Sequence, residues 1–378
     1  MRRRDMIWGS LVATLFTSFK LQSASLRFAS LSDKNLSPLL TVRVEAPIPV
    51  PNSEGDTWTP TWADNGHLDS PSNDSTGFHS APKANIAFNR IDGIDPFHLG
   101  GKTVNSMSPY GRESERGPDG CTWKSSGCAC IDGVLYWVVA RHRYGQESGD
   151  PRHRQTAQNA SIIKSMDHGR TWTRSAKLNY HAPMFPGRRF ATPYFIQFGR
   201  NGAAPRNVGD YVYAISNNGF WDCGDDMIVG RVARSRIGRL DAADWEFFTG
   251  GNGDAASSWI RNMHRALPIL RGPGKFGMTG ATYLHRYQRY LMIGWYYPAG
   301  GGKMDGAATH TVWDFYDSPR PWGPWTKIGS YDSQPSGYYS PQVCPKFQTF
   351  EHVFAFTAGN WNNPSDYRLT VIPLKIGT

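Results

Sequence analysis

Charge is scarce in this chain, since only 19% of its 378 residues are Asp, Glu, Lys or Arg. A coiled coil or long helical bundle, which depends on those residues and on Ala, is excluded. Cysteine is scarcer still: Cys121, Cys128, Cys130, Cys223 and Cys344 are all there are. An odd number without a repeated C-x-x-C argues against a zinc ribbon or a disulfide-dense scaffold. One bridge in an oxidising compartment stays open, and the spacing does not assign it. No group of His and acidic residues has metal-ligand spacing, so neither metal nor other cofactor is expected. Long apolar runs are also missing. The longest stretch, residues 6–19, falls short of the roughly 20 residues of a comfortable membrane span.

That stretch follows Arg2-Arg3-Arg4 and precedes small polar residues such as Ser23 and Ser25. Residues 1–25 therefore read as a signal peptide, and Arg3-Arg4-Asp5-Met6-Ile7 is similar to a twin-arginine export signal. The mature protein is expected to be secreted or periplasmic, free of the membrane, and monomeric. Residues 26–50 read as a polar, Pro-containing lead-in, and 51–378 as the folded domain.

The net charge of +10, from 41 Lys plus Arg against 31 Asp plus Glu, invites a nucleic-acid reading. Basic residues run from Arg2 to Lys375 without a zinc-finger, RNP-type or helix-turn-helix pattern, so nucleic acid is not the expected partner. An acidic substrate remains open.

What the chain does have is 40 Gly, 26 Pro, 14 Trp, 17 Tyr and 19 Phe. After Asn52 helical periodicity is nearly absent, while short runs of Val, Ile, Tyr, Phe and Trp alternate with Gly, Asp and Asn turns. One pattern, a polar turn leading into an apolar strand, returns five times. It begins at Asp64-Asn65-Gly66, Asp132-Gly133, Gly209-Asp210, Tyr287-Gln288 and Phe350-Glu351. Each turn is flanked by an innermost-strand candidate and a further strand, as at Asn85-Ile86-Ala87-Phe88 or Met227-Ile228-Val229-Gly230. The first two turns lie 68 residues apart, which suits a four-stranded blade with loops. The fold class predicted is all-β, a five-bladed β-propeller; an irregular pair of β-sandwiches is the alternative.

Two motifs sharpen this. Ser165-Met166-Asp167-His168-Gly169-Arg170-Thr171-Trp172 fits S-x-D-x-G-x-T-W and resembles the Asp box of sialidase-like propellers, a turn between outer strands of a blade. Asp and Gly build such a turn and Trp packs between sheets. Asp317-Ser318-Pro319-Arg320-Pro321-Trp322-Gly323-Pro324-Trp325-Thr326 resembles the outer turn of five-bladed glycoside hydrolases such as family 43. Arg231 to Ile237 followed by Trp245-Glu246-Phe247-Phe248 resembles the third and fourth strands of such a blade. With Gly55-Asp56-Thr57-Trp58 and Thr61-Trp62-Ala63-Asp64-Asn65-Gly66, the chain resembles domain-of-unknown-function family 4185, some of whose members are endo-D-arabinanases. The resemblance implies a secreted carbohydrate-active enzyme that cleaves glycosidic bonds in a polysaccharide.

Glycoside hydrolysis uses two carboxyl groups, one as acid and one as base or nucleophile. The resemblance places the base at Asp56, eight residues before Asp64. At the corresponding place on the second blade, eight residues before Asp132, stands Lys124, and the third-blade position falls in Arg188-Arg189-Phe190-Ala191-Thr192-Pro193. There the resemblance fails, and basic residues replace carboxylates. A mouth carrying Lys124, Arg188, Arg189 and Lys275 favours an anionic glycan such as a uronate. Elimination then becomes the second reading, with His67, His79 or Tyr194 removing the proton. A non-catalytic propeller that binds glycans or protein is the third. The candidate catalytic residues are Asp56, Asp64 and His67; the candidate substrate-binding residues are Lys124, Arg188, Arg189, Tyr194 and Trp221, with Gln155 and Trp361 as polar and aromatic additions.

Overall fold

The structure is a computed structural model that describes residues 39–78, 82–144, 155–174, 182–205, 208–298 and 309–378. The export signal at 1–25 and His79 lie outside the described residues. Five antiparallel sheets follow one another along the chain, and among the described residues there is no α-helix. The chain is a five-bladed β-propeller.

Blade I holds Glu54–Asp56 and Thr61–Trp62 innermost, then Leu68–Gly77, Ala84–Asp92 and Gly100–Asn105. Blade II runs Thr122–Ile131, Val134–Tyr144, Gln155–Ser165 and Thr173–Arg174. Blade III starts at Tyr194–Phe195 and continues through Tyr211–Asn217, Gly224–Ala233, Trp245–Phe248 and Trp259–Ile260. Blade IV is Ala281–Leu284, Arg289–Tyr296, Val312–Ser318 and Thr326–Asp332. Blade V takes three strands from the end of the chain, Tyr339–Gln348, His352–Ala358 and Thr370–Gly377, and its fourth, Thr41–Val44, from the beginning. Thr41 lies opposite Gly377 and Val44 opposite Leu374. The lead-in read at 26–50 is thus corrected over its last part: pairing with the final strand makes residues 41–44 and 48–49 integral to the ring.

All five predicted turns join an innermost strand to the second strand of the same blade. Because each blade is sandwiched between two others, its middle strands are buried on both faces and read as continuous apolar runs. In Val134–Tyr144, Leu135, Trp137 and Val139 pack toward blade I, while Tyr136, Val138 and Ala140 pack toward blade III. Five such inter-blade clusters make the core.

The turn at 165–172 connects the third and fourth strands of blade II. The Ser165 hydroxyl accepts the Gly169 N–H at 2.8 Å, and Asp167 Oδ1 accepts the Thr171 N–H at 2.9 Å. The Trp172 ring then wedges between Phe88 and Trp137 at centroid distances of 4.9 and 5.1 Å. A Cβ at Gly169 would stand 2.1 Å from the Phe88 ring, at a φ of +86°, so only glycine serves there. The turn at 317–326 occupies the same place on blade IV. Its first residue, Asp317, is fully buried; it accepts the Arg289 Nε–H at 2.5 Å and the Leu40 backbone N–H at 2.8 Å. All five cysteines are buried, free thiols.

Asp69 faces Arg90 across the second and third strands of blade I, 3.6 Å away, with neither carboxylate oxygen hydrogen-bonded. Burial pushes its pKa up to about 7, despite Arg90. Since the folded value lies above the unfolded one of about 3.9, the protonated acid stabilises the fold at low pH, and that contribution is lost as pH rises through 7. Asp69→Asn should therefore gain on the native protein by roughly 4 kcal/mol between about pH 4 and pH 8, at about 1.4 kcal/mol per pKa unit. Urea midpoints across that range measure it; a difference that stays constant with pH would refute the assignment.

Candidate active site

Antiparallel blades put the starts of the inner strands and the ends of the second strands at one end of the ring. A cleft of about 450 Å³ opens there, within the roughly 300–1,000 Å³ usual for small-molecule sites. Asp56 enters it from the inner strand of blade I, Lys124 from that of blade II and Tyr339 from that of blade V. Asn73 and Asp74 come from the second strand of blade I, Tyr144 from that of blade II and Trp295 from that of blade IV. Trp221 and Asp222 descend from the loop between the second and third strands of blade III.

Asp56 is held by phenols. The Tyr339 hydroxyl donates to its Oδ2 at 2.8 Å, and Tyr367 also engages the carboxylate. Burial, reinforced by the Asp56 charge, drives both tyrosine pKa values far up, so both remain O–H donors. Asp222, 5% exposed, accepts the Gln155 Nε2–H at 2.8 Å. The neighbouring Trp221 ring stands edge-on to His142 at 4.8 Å. Trp295, Tyr297, Trp361 and Tyr367 complete an aromatic wall.

Lys124 is buried and ion-paired with Asp74. Burial alone would lower its pKa, but the charges of Asp74 and Asp56 outweigh this and raise it. Lys83 pairs with Glu54 at 2.7 Å. Glu54, Asp56, Asp74, Glu113 and Asp222 thus face only two lysines among the described lining residues. Among the described lining residues carboxyl groups outnumber cations. No group of three His, Cys, Asp or Glu suited to a metal occurs among the described residues.

Of the residues expected from sequence, Asp56, Lys124 and Trp221 meet in the cleft, with Gln155 and Trp361. The others do not. Asp64 and His67 sit in the turn that ends the inner strand of blade I, at the opposite end of the ring. A hairpin turn cannot share an end with the start of its own strand. There Asp64 stands 3.6 Å from His168 and His67 3.9 Å from Asp92. Arg188 stacks on the Phe220 ring at 5.1 Å, outside the lining. Arg189 is tied to Asp226 at 2.6 Å and the Ala266 carbonyl at 3.1 Å, as a brace of blade III. Tyr194 is core, packed with Ala157, Ala191, Trp221 and Met278, and burial pushes its phenol pKa up. Lys275, over the Tyr296 ring at 5.5 Å, also lies outside the lining.

Sequence reasoning missed Asp222, Tyr339 and Tyr367. The one available signal for Asp222 was adjacency to Trp221; Tyr339 and Tyr367 carry none, lying 283 residues and more from Asp56.

The sequence matches the family described as a domain of unknown function, DUF4185, over residues 55–372. No curated protein matches it. Among solved structures, a Bacteroides ovatus protein provisionally described as a hydrolase is similar at a TM-score of 0.51 and 13% identity, with 85% of each chain covered. A family 43 glycoside hydrolase (GH43_1) from Xanthomonas citri, complexed with xylotriose, gives a TM-score of 0.47 at 12% identity, covering 88% of this chain and 90% of that one. A family 117 glycoside hydrolase of Zobellia galactanivorans gives 0.46 at 7% identity, covering 89% and 90%.

The ion pair between Lys124 and Asp74 joins blades I and II beneath the cleft. Lys124→Met should cost about 3–5 kcal/mol, because it leaves a partly buried carboxylate without its cation. In a double-mutant cycle with Asp74→Asn, which tolerates the φ of +44° at that position, the losses should fall short of additivity by about 0.5–3 kcal/mol. Chemical denaturation of the four proteins reads this, and additive losses would show the pair to be uncoupled.

Proposed function

This chain belongs to the DUF4185 family, and we propose that it hydrolyses glycosidic bonds in a polysaccharide built of neutral sugars. The carrying observation is that carboxylates from blades I and III, Asp56 and Asp222, line one aromatic-walled cleft. Asp56 serves as base. With its carboxylate oriented by Tyr339 it takes a proton from the attacking water, while Asp222, positioned by Gln155, gives a proton to the departing sugar oxygen. The anomeric carbon exchanges its bridging oxygen for that of water, and both carboxyl groups then return to their starting protonation through solvent.

The partly exposed rings of Tyr297, Trp361 and Tyr367 suit the apolar faces of sugar rings. Among the described lining residues five carboxyl groups disfavour a uronate. The two lysines among those residues are already paired with Asp74 and Glu54. This favours hydrolysis over elimination and a neutral glycan over an acidic one. The proposal includes export: the basic start, apolar stretch at 6–19 and small residues beyond it fit a leader removed on secretion.

A panel of neutral and acidic polysaccharides should yield new reducing ends on a neutral substrate, without the ultraviolet absorbance of an unsaturated uronate. Asp56→Asn and Asp222→Asn should each lose about 10²–10⁴-fold in kcat/KM. Tyr339→Phe should lose less, and should move the acidic limb of the pH profile to higher pH, because the carboxylate loses a hydrogen bond that favours its charged form. Full activity in Asp56→Asn, or release of unsaturated products, would overturn the reading.

A further inference from the structure

At the other end of the ring, where the inner strands stop, lies a second cavity of about 290 Å³. Its walls come from the turns of blades I, III, IV and V, and its cationic groups are Arg200, Arg286 and Lys346, with the His285 imidazole beside them. No carboxylate lines it among the described residues. Among the described lining residues, carboxyl groups predominate around the upper cleft and cations around the lower pocket.

No carboxylate among the described lining residues is paired with these cations. Arg200 donates to the Asp64 carbonyl at 3.0 Å, Lys346 to the Gly93 carbonyl at 3.4 Å, and His285 Nε2 to the Phe198 carbonyl. Carbonyl groups orient a cation without cancelling its charge. The Arg286 guanidinium carbon lies over the Phe350 ring, 3.3 Å from its centroid. A guanidinium held over a ring retains the N–H fork that matches an oxyanion. The floor is equally set. The Tyr287 hydroxyl donates to the carbonyls of Phe350 and Ile376 at 3.2 and 3.3 Å, and Gln348 donates to the Tyr283 carbonyl at 3.1 Å. Rings of Trp62, Phe198 and Tyr287 stand beside the charges.

The geometry points to a second binding site, for a sugar residue that carries an oxyanion, either a carboxylate or a sulfate ester. The aromatic rings take the sugar face, and Arg286 and Lys346 take the charge. The volume, at the lower limit of small-molecule pockets, accommodates one such residue. This site is independent of the hydrolytic reading of the upper cleft. It assigns part of the net charge of +10 to recognition of an acidic sugar at the end of the ring opposite the cleft.

Calorimetric titration of the full chain with glucuronate, a sulfated glucose, glucose and inorganic sulfate tests it. Saturable binding of either charged sugar supports the site, and whichever binds identifies the oxyanion. Arg286→Gln and Lys346→Gln should each weaken that binding about tenfold or more, while Asp56→Asn leaves it unchanged. Arg286 is an exposed side chain, so its replacement leaves the core packing intact. The site is refuted if neither charged sugar binds, if glucose or inorganic sulfate binds as tightly, or if Asp56→Asn rather than Arg286→Gln abolishes binding.

Discussion

Ring closure is the constraint on which everything else rests. Four backbone pairs between Thr41–Val44 and the last strand turn an open row of sheets into a circle, and a closed ring has no exposed inner edge to manage. Closure is reinforced where the Leu40 N–H meets the buried Asp317 carboxylate, itself paired with Arg289 of the same blade IV sheet. One carboxyl group thereby ties the start of the chain to a residue 277 positions away. Once the circle is fixed, every blade must present the start of its innermost strand at one end of the axis and its first turn at the other.

That geometry decides which residues can cooperate. Residues adjacent in sequence, such as Asp56 and Asp64, are separated because a strand runs between them. Residues remote in sequence, such as Asp56 and Tyr339, are joined because both lie on the first part of the inner edge of neighbouring blades. The cleft therefore draws single side chains from all five blades, and none of its parts forms a compact motif. Its chemistry depends on rigid support: Asn73 bonds both the N–H and the C=O of Ser125 across the junction of blades I and II, at 2.8 and 3.3 Å. Directly beneath the cleft, Lys124 and Asp74 fasten the same junction by charge.

The blade count was legible because turn chemistry repeats. Asp-Asn-Gly, Asp-Gly and Gly-Asp at fixed places between apolar runs report the same hairpin each time. Asp56 was legible by its distance from one of those turns. Asp222 was not, because the spacing logic followed the inner strand of blade III toward Arg188 and Arg189, whereas the carboxylate arrives on the loop between the second and third strands. The pairing of Lys124 was not legible for a related reason. Lys124 was counted as a free cation, but its partner Asp74 sits on the adjacent blade, 50 residues earlier, and no local pattern announces a contact between blades.

The excess of positive charge was read first as a property of the mouth, and its actual distribution follows from how arginine is used. Arg141 with Asp119, Arg189 with Asp226, Arg231 with Glu246 and Arg234 with Asp132 are each held at 2.6 to 3.0 Å as braces within or between blades. Arginine suits such sites because its planar fork keeps its charge and its hydrogen-bond geometry under partial burial. A brace is electrically silent at a distance, so these residues contribute little to attracting a ligand. Arg200, Arg286 and Lys346, whose partners are carbonyls or an aromatic ring, gather at the end of the ring opposite the cleft. Counting charges along a chain measures neither end; the pairing of each charge decides what the surface presents.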